Sequence, residues 1–328
     1  MLPFSLVLRF TVRIRPLAAL SAVALSAVLL AGCAGGSPDA DASPSAPPVA
    51  DLCDAAAPAG EASDAVTVDG AFGEESTATF EFPLEISELQ TTVLEEGSGD
   101  PVDSGELVTF ALTAFSAETG EKLGSIGYGA DPILPQQISP DNPIGQVLGC
   151  ATTGTRVVAT FPPSDPNAGE VYIFDLISVV PDAAWGEPQS PVDGMPTVTL
   201  ADDGEPTIEL PEGDAPTAFA LEVLKKGDGA TVTPGDTVLV QYSGVKWSDG
   251  TIFDSSWESG APTSFQTTAV VEGFRQALEG QTVGSQVVVV IPPALGYGEG
   301  EINDQDLVGE TLVFVVDILG TQHAAPSQ

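Results

Sequence analysis

Basic residues are scarce in this chain. Nine Lys and Arg stand against 47 Asp and Glu in 328 residues, a formal charge of −38. Such a surface is repelled by phosphate backbones and anionic headgroups, which excludes nucleic acid as a partner. The excess acid reads as solubility rather than as a site. There is one histidine, His323, in the polar C-terminal segment 322–328, where it reads as a solvated side chain. Cysteines number three. Helical periodicity is rare as well, which argues against the two α/β lobes of a solute-capturing protein, because those need strands and helices in alternation.

What is present begins with an export signal. Arg9, Arg13 and Arg15 precede Leu17 to Leu30, an unbroken small-and-apolar run of 14 residues. That is short for a membrane span and suits the h-region of a secretory signal. It ends in Leu30-Ala31-Gly32-Cys33, which resembles the lipobox of bacterial lipoproteins. The resemblance implies a signal peptide over 1–32, a lipid on the Cys33 thiol, and an extracytoplasmic chain held to the cell membrane only by that lipid. Loss of residues 1–32 leaves six basic against 47 acidic residues, a formal charge of −41 over 296 residues. Residues 33–65 open with Ala, Ser, Pro, Gly and Asp and almost nothing large and apolar, so a disordered tether is expected there. Cys53 and Cys150 are the remaining thiols. Outside the membrane they are free to pair with each other, with two unpaired thiols as the alternative.

A tandem duplication organises the rest. At an offset of 130, Leu94 to Gly99 falls on Leu224 to Gly229, Gly154 to Val158 on Gly284 to Val288, and Phe161-Pro162-Pro163 on Ile291-Pro292-Pro293. The first copy is then 12 residues shorter, and Glu170 to Leu176 matches Leu312 to Ile318 at an offset of 142. A period of domain length marks two domains rather than a solenoid. They are expected over 66–180 and 197–321, with 181–196 as a linker. Thr237 to Tyr242, Gln286 to Ile291 and Thr311 to Leu319 are β-branched runs that predict strands. Val271, Phe274 and Leu278 share one face of a short helix that Gly280 ends. The first copy repeats it, with Asp141 or Asn142 as N-cap and Pro143 in the first turn. The expected class is α+β, each copy an antiparallel sheet wrapped around a short helix.

The second copy resembles the FKBP family of peptidyl-prolyl cis/trans isomerases over nearly its whole length. The resemblance rests on Val240-Gln241-Tyr242-Ser243-Gly244, Asp249-Gly250-Thr251-Ile252-Phe253-Asp254-Ser255-Ser256, Val270-Val271-Glu272-Gly273-Phe274, Pro292 to Gly298 and Thr311 to Asp317. It implies two tandem FKBP-like domains and an isomerase acting on proline-containing segments of exported proteins, with neither cofactor nor metal. It further implies substrate-binding walls from Phe253, Phe265, Val270, Val271, Phe274 and Phe314. Tyr242, Asp254 and Tyr297 would carry catalysis: Asp254 bonds Tyr242 and faces the twisting amide, while the Val271 N–H and Tyr297 hold the flanking carbonyls. Phe274 stands where the family usually has tryptophan, and Thr263 where it usually has an aromatic residue. The segment after Tyr297 is acidic, with Ile302, Leu307 and Val308 as its apolar residues. These departures leave macrolide binding open.

In the first copy Tyr242 falls on Leu112, Phe253 on Leu123, Asp254 on Gly124 and Phe274 on Ile144, and Tyr297 has no counterpart. The framework persists without the site, so residues 66–180 are expected not to catalyse. A competing reading makes both copies non-catalytic protein-binding modules of a surface lipoprotein.

Overall fold

The computed structural model describes residues 51–129, 132–165, 167–303 and 306–324. The signal peptide and Cys33 lie outside the described residues. The chain is built mostly of antiparallel sheets with few helices.

Two one-turn helices, α1 (Leu52–Ala55) and α2 (Glu61–Asp64), lead into a hairpin of β1 (Thr67–Asp69) and β2 (Thr77–Thr79). A sheet follows from β3 (Gln90–Glu95), β4 (Leu107–Ser116), β5 (Lys122–Ile126), β6 (Gln136–Gln137), then helix α3 (Pro143–Leu148), β7 (Arg156–Phe161) and β8 (Glu170–Val180). Its order is β3-β7-β8-β4-β5, with β6 also on β4. After β9 (Glu187–Pro188) the pattern returns. A hairpin of β10 (Thr197–Leu200) and β11 (Pro206–Glu209) precedes β12 (Ala220–Lys226), β13 (Thr237–Lys246), β14 (Ile252–Ser255), helix α4 (Ser256–Ser259), β15 (Thr263–Gln266), helix α5 (Glu272–Leu278), β16 (Gln286–Ile291) and β17 (Leu312–Gln322). The second sheet runs β14-β13-β17-β16-β12-β9, with β15 on β13. Its first five strands have the order of the first sheet read backwards, and Arg156↔Asp175 corresponds in register to Gln286↔Asp317.

Each sheet is covered on both faces, which explains why β16 is a continuous apolar run instead of an alternating one. Val287, Val289 and Ile291 face the helix side with Phe274, Ala277 and Leu278. Val288 and Val290 face the hairpin side with Val198 and Ile208. Residues alternate across a strand, so both sides must be apolar to bury both. Burying side chains of this size contributes roughly 1.5–3 kcal/mol each. The helices are too short to stand alone and persist by packing. Asn142 caps α3 as expected, its side chain accepting from the Gly145 N–H at 2.8 Å with Pro143 in the first turn. Gly120 and Gly250 both turn at φ 71°, a conformation that favours glycine, in the corresponding turns before β5 and β14.

Two expectations are corrected, the extent of the tether and the start of the tail. Residues 51–65 are folded rather than part of a tether. Leu52 is buried in the first core, Ala62 packs under the hairpin, and Cys53 is disulfide-bonded to Cys150 across 97 residues. The polar composition hid these few apolar contacts. The linker 181–196 packs against the second sheet. Lys225 and Lys226 pair with Pro188 and Glu187 of β9, the Ala184 N–H donates to Asp317 Oδ2 at 3.0 Å, and Val192 N–H donates to Glu222. The tail begins later than residue 322. Gln322 ends β17, and the His323 ring, exposed to solvent as expected, also bonds Asp236 Oδ2 at 2.9 Å. Leu107, Leu134, Leu239 and Leu319 form a small apolar cluster joining the two sheets.

Candidate active site

Strand β13 carries Tyr242 across the sheet, with its ring on the helix side because Val240 and Tyr242 share a face. Helix α5 lays Phe274 beneath it, and β15 and β17 bring Phe265 and Phe314. The rings form one cluster. Phe274 lies 5.0 Å from Phe314, 5.7 Å from Phe265 and 6.1 Å from Tyr242, all edge-to-face, the arrangement that ring quadrupoles prefer. Gly244 makes room, since a Cβ there would meet the rings of Phe314 and Phe253 at 2.7 and 2.9 Å. Phe274 is buried, with 4 % of its surface exposed.

The cluster opens into a cavity of about 310 Å³ whose wall is completed by Val270, Val271, Asp254 and Tyr297. The Tyr242 phenol donates to Asp254 Oδ2 at 2.8 Å. Burial, and then the Asp254 carboxylate, push that phenol above the usual tyrosine range. Tyr297 is half exposed at the mouth, after the one-turn 3₁₀ segment Pro293–Leu295. Val271 is the N-cap of α5.

Of the nine residues expected at the site, eight line the cavity. Phe253 does not; it stands behind the wall, edge-on to Phe314 at 5.4 Å. It packs against the core cluster from β14. Ala269 lines the cavity and was missed, because a small residue between conspicuous ones carries no signal. In the acidic segment Leu307 packs onto the core while Ile302 is exposed. Glu310 is buried and accepts from the Ser248 N–H and hydroxyl, which ties the end of that segment down. Thr263 opposes Val240 on the edge strand.

Residues 229–319 match the family model described as FKBP-type peptidyl-prolyl cis-trans isomerase. An FK506-binding protein of Streptomyces anulatus is 38% identical over 118 residues, spanning 35% of this chain and 95% of that protein. The chain belongs to the FKBP family. A probable FK506-binding protein of Corynebacterium glutamicum is 37% identical over 115 residues, 35% of this chain and 97% of that one. A third FKBP relative, named an outer membrane protein, MIP, of Legionella longbeachae, is 34% identical over 110 residues, 34% of this chain and 47% of its own length. By family the chain is thus a peptidyl-prolyl cis-trans isomerase. No helix among the described residues is long and apolar enough to cross a membrane.

Proposed function

We propose that residues 197–321 isomerise Xaa-Pro bonds in exported proteins at the outer face of a bacterial membrane, that a lipid on Cys33 holds the chain there, and that residues 66–180 form a second FKBP-like domain without catalysis. The observation that carries the reading is the Tyr242–Asp254 pair at the rim of a four-ring apolar cavity.

The chemistry needs no bond to break. Rotation about an Xaa-Pro amide meets a barrier of ~18–20 kcal/mol because resonance is lost on twisting. The twisted amide has less charge separation than the planar one, so a dry aromatic cavity favours it over the ground state. An acceleration of about 10⁴-fold needs roughly 5–6 kcal/mol of such differential stabilisation. In this reading the proline ring sits on Phe274 between Phe265 and Phe314. The Val271 N–H holds the carbonyl before the proline, Tyr297 holds the next one, and Asp254 sets its carboxylate beside the rotating amide.

Membrane placement rests on the lipobox and on the name of the Legionella relative. Two measurements test the proposal. In a protease-coupled assay the full chain should accelerate isomerisation of a Leu-Pro tetrapeptide, and a rate equal to the spontaneous one overturns the catalytic reading. That outcome would favour the binding-module alternative, which Phe274 in place of the family's tryptophan supports. For the anchor, Cys33→Ala should release the chain from membranes, and a variant that remains bound refutes the lipid tether.

A further inference from the structure

The site that the first copy has lost is not filled in. At the corresponding place lies a larger cavity, about 510 Å³, walled by Leu112, Ile144, Phe161, Tyr172 and Phe174. Close-packed interiors do not leave hollows of this size, whereas ligand pockets fall in this range.

The way its lining differs from that of the second copy is informative. Strand pairs Leu112↔Phe174 and Tyr242↔Val316 occupy the same position in the two sheets. The ring has crossed from one strand to its partner, so the aromatic wall is kept while the catalytic tyrosine is gone. Likewise Phe161 stands where the second copy has Ile291. Phe110, Phe174, Tyr172 and Phe161 form a chain of ring contacts at 5.6, 5.9 and 5.3 Å. A phenol–carboxylate pair has also been rebuilt from different residues. Tyr172 donates to Glu170 Oε2 at 2.6 Å, and burial followed by Glu170 pushes the phenol up to about 12. With the 12 residues around Tyr297 missing, the rim is formed instead by the short segment that includes Asn167 and Ala168.

We propose that this cavity is a second polypeptide-binding site, which takes an apolar side chain or a proline ring of an extended chain and holds it without isomerising the bond. The occupant is a peptide that is uncharged or cationic, since Glu170 stands in the wall and the whole surface is strongly acidic. Nothing equivalent to Tyr297 clamps the carbonyl beyond the proline, so rotation gains no transition-state contact there. The site goes beyond the isomerase reading and does not depend on it.

The test uses the full chain and a short, capped, uncharged peptide with a central Leu-Pro pair, followed by fluorescence anisotropy with a neutral dye. Wild type should bind two equivalents. Ile144→Trp fills the cavity floor and Ala168→Trp covers its mouth from an exposed position. Each should remove one equivalent, or weaken it at least about tenfold, and leave tetrapeptide isomerisation within a factor of about two. Two variants are needed because Ile144→Trp risks the fold, whereas Ala168→Trp does not. The Asp254→Asn/Tyr297→Phe double variant should keep the equivalent bound by the first copy, so a failure of catalysis and a failure of this site read differently. Binding left unchanged by a folded Ala168→Trp variant, whether wild type takes one equivalent or two, overturns the proposal.

Discussion

Asp254→Asn separates the charge of the Tyr242–Asp254 pair from its shape. The Tyr242 phenol donates at 2.8 Å to Asp254 Oδ2, and asparagine still presents an oxygen there. The loss is therefore the charge-assisted part of the bond. A hydrogen bond to a charged group contributes about 1.5–3 kcal/mol against about 0.5–1.5 for a neutral one, a difference of about 1 kcal/mol. Asp254 is exposed at the cavity mouth, so screening keeps the effect modest. A transition-state loss of about 0.7–2 kcal/mol lowers kcat/KM by roughly 3- to 30-fold. Tyr297→Phe removes one exposed hydroxyl and should cost a similar factor. Neither position is buried, so Tm should stay within about 2 °C. The protease-coupled assay measures kcat/KM, and calorimetry measures Tm. The pH profile adds a second check. Burial and Asp254 hold the Tyr242 phenol above its ordinary range, so it keeps its proton throughout, and rates should be flat between about pH 6 and 8. Full activity in a folded Asp254→Asn/Tyr297→Phe variant, or a bell-shaped profile over that range, refutes the assignment.

Cys150→Ser should lower stability by up to roughly 4–5 kcal/mol, the chain-entropy value for a loop of 97 residues, and should speed amide exchange around Leu52; an unchanged Tm with or without reductant would contradict this. Asp236 gives a pH-dependent case. Burial raises its carboxyl, but donors from Thr233, His323 and Thr321 outweigh that and hold it below the usual range. A depressed folded value contributes stability above the unfolded value near 3.9 and loses it as pH falls through the folded one. Asp236→Asn should therefore lower Tm at pH 7, with the gap closing as pH falls below about 4. A gap that stays constant down to pH 2 would assign the effect to packing.

Legibility followed the length scale of the signal. The helix of each copy could be read because Val271, Phe274 and Leu278 repeat locally, and because Asn142-Pro143 is a cap in its own right. The site could be read because its residues lie in short motifs, and the two sheets because the offset match spans whole strands. What could not be read depends on contacts made once. Leu52 and Ala62 are apolar residues in a polar stretch, and only the sheet they meet makes them core. The first cavity was illegible for a further reason. Comparison at a fixed offset sees Leu112 in place of Tyr242 and scores a loss, while the compensating ring at Phe174 lies on the partner strand, 62 positions away in sequence.

The two copies meet the demand of the same buried carboxylate with different partners. Asp175 and Asp317 occupy the same register and are both buried. In the first copy Arg156 meets Asp175 with two hydrogen bonds, 2.6 and 2.7 Å, and its remaining donors hold Gly70 and Ala71 in the turn of the hairpin. In the second copy the arginine is Gln286, which gives Asp317 one amide bond at 2.6 Å and no charge. Burial then pushes the Asp317 carboxyl above its usual range, against the pull of the Ala184 N–H, Gln286 and Lys225. A buried carboxylate without an adjacent cation needs further donors, because desolvation is costly. The Ala184 N–H supplies one from outside the sheet, and Lys225 closes the contact by donating to the Ala184 carbonyl at 2.8 Å. Both buried carboxylates thus take one backbone N–H from a segment outside their sheet, Gly73 for Asp175 and Ala184 for Asp317, and in the second copy that contact is one of several that fix residues 181–196, beside the β9 pairing and the Val192–Glu222 bond.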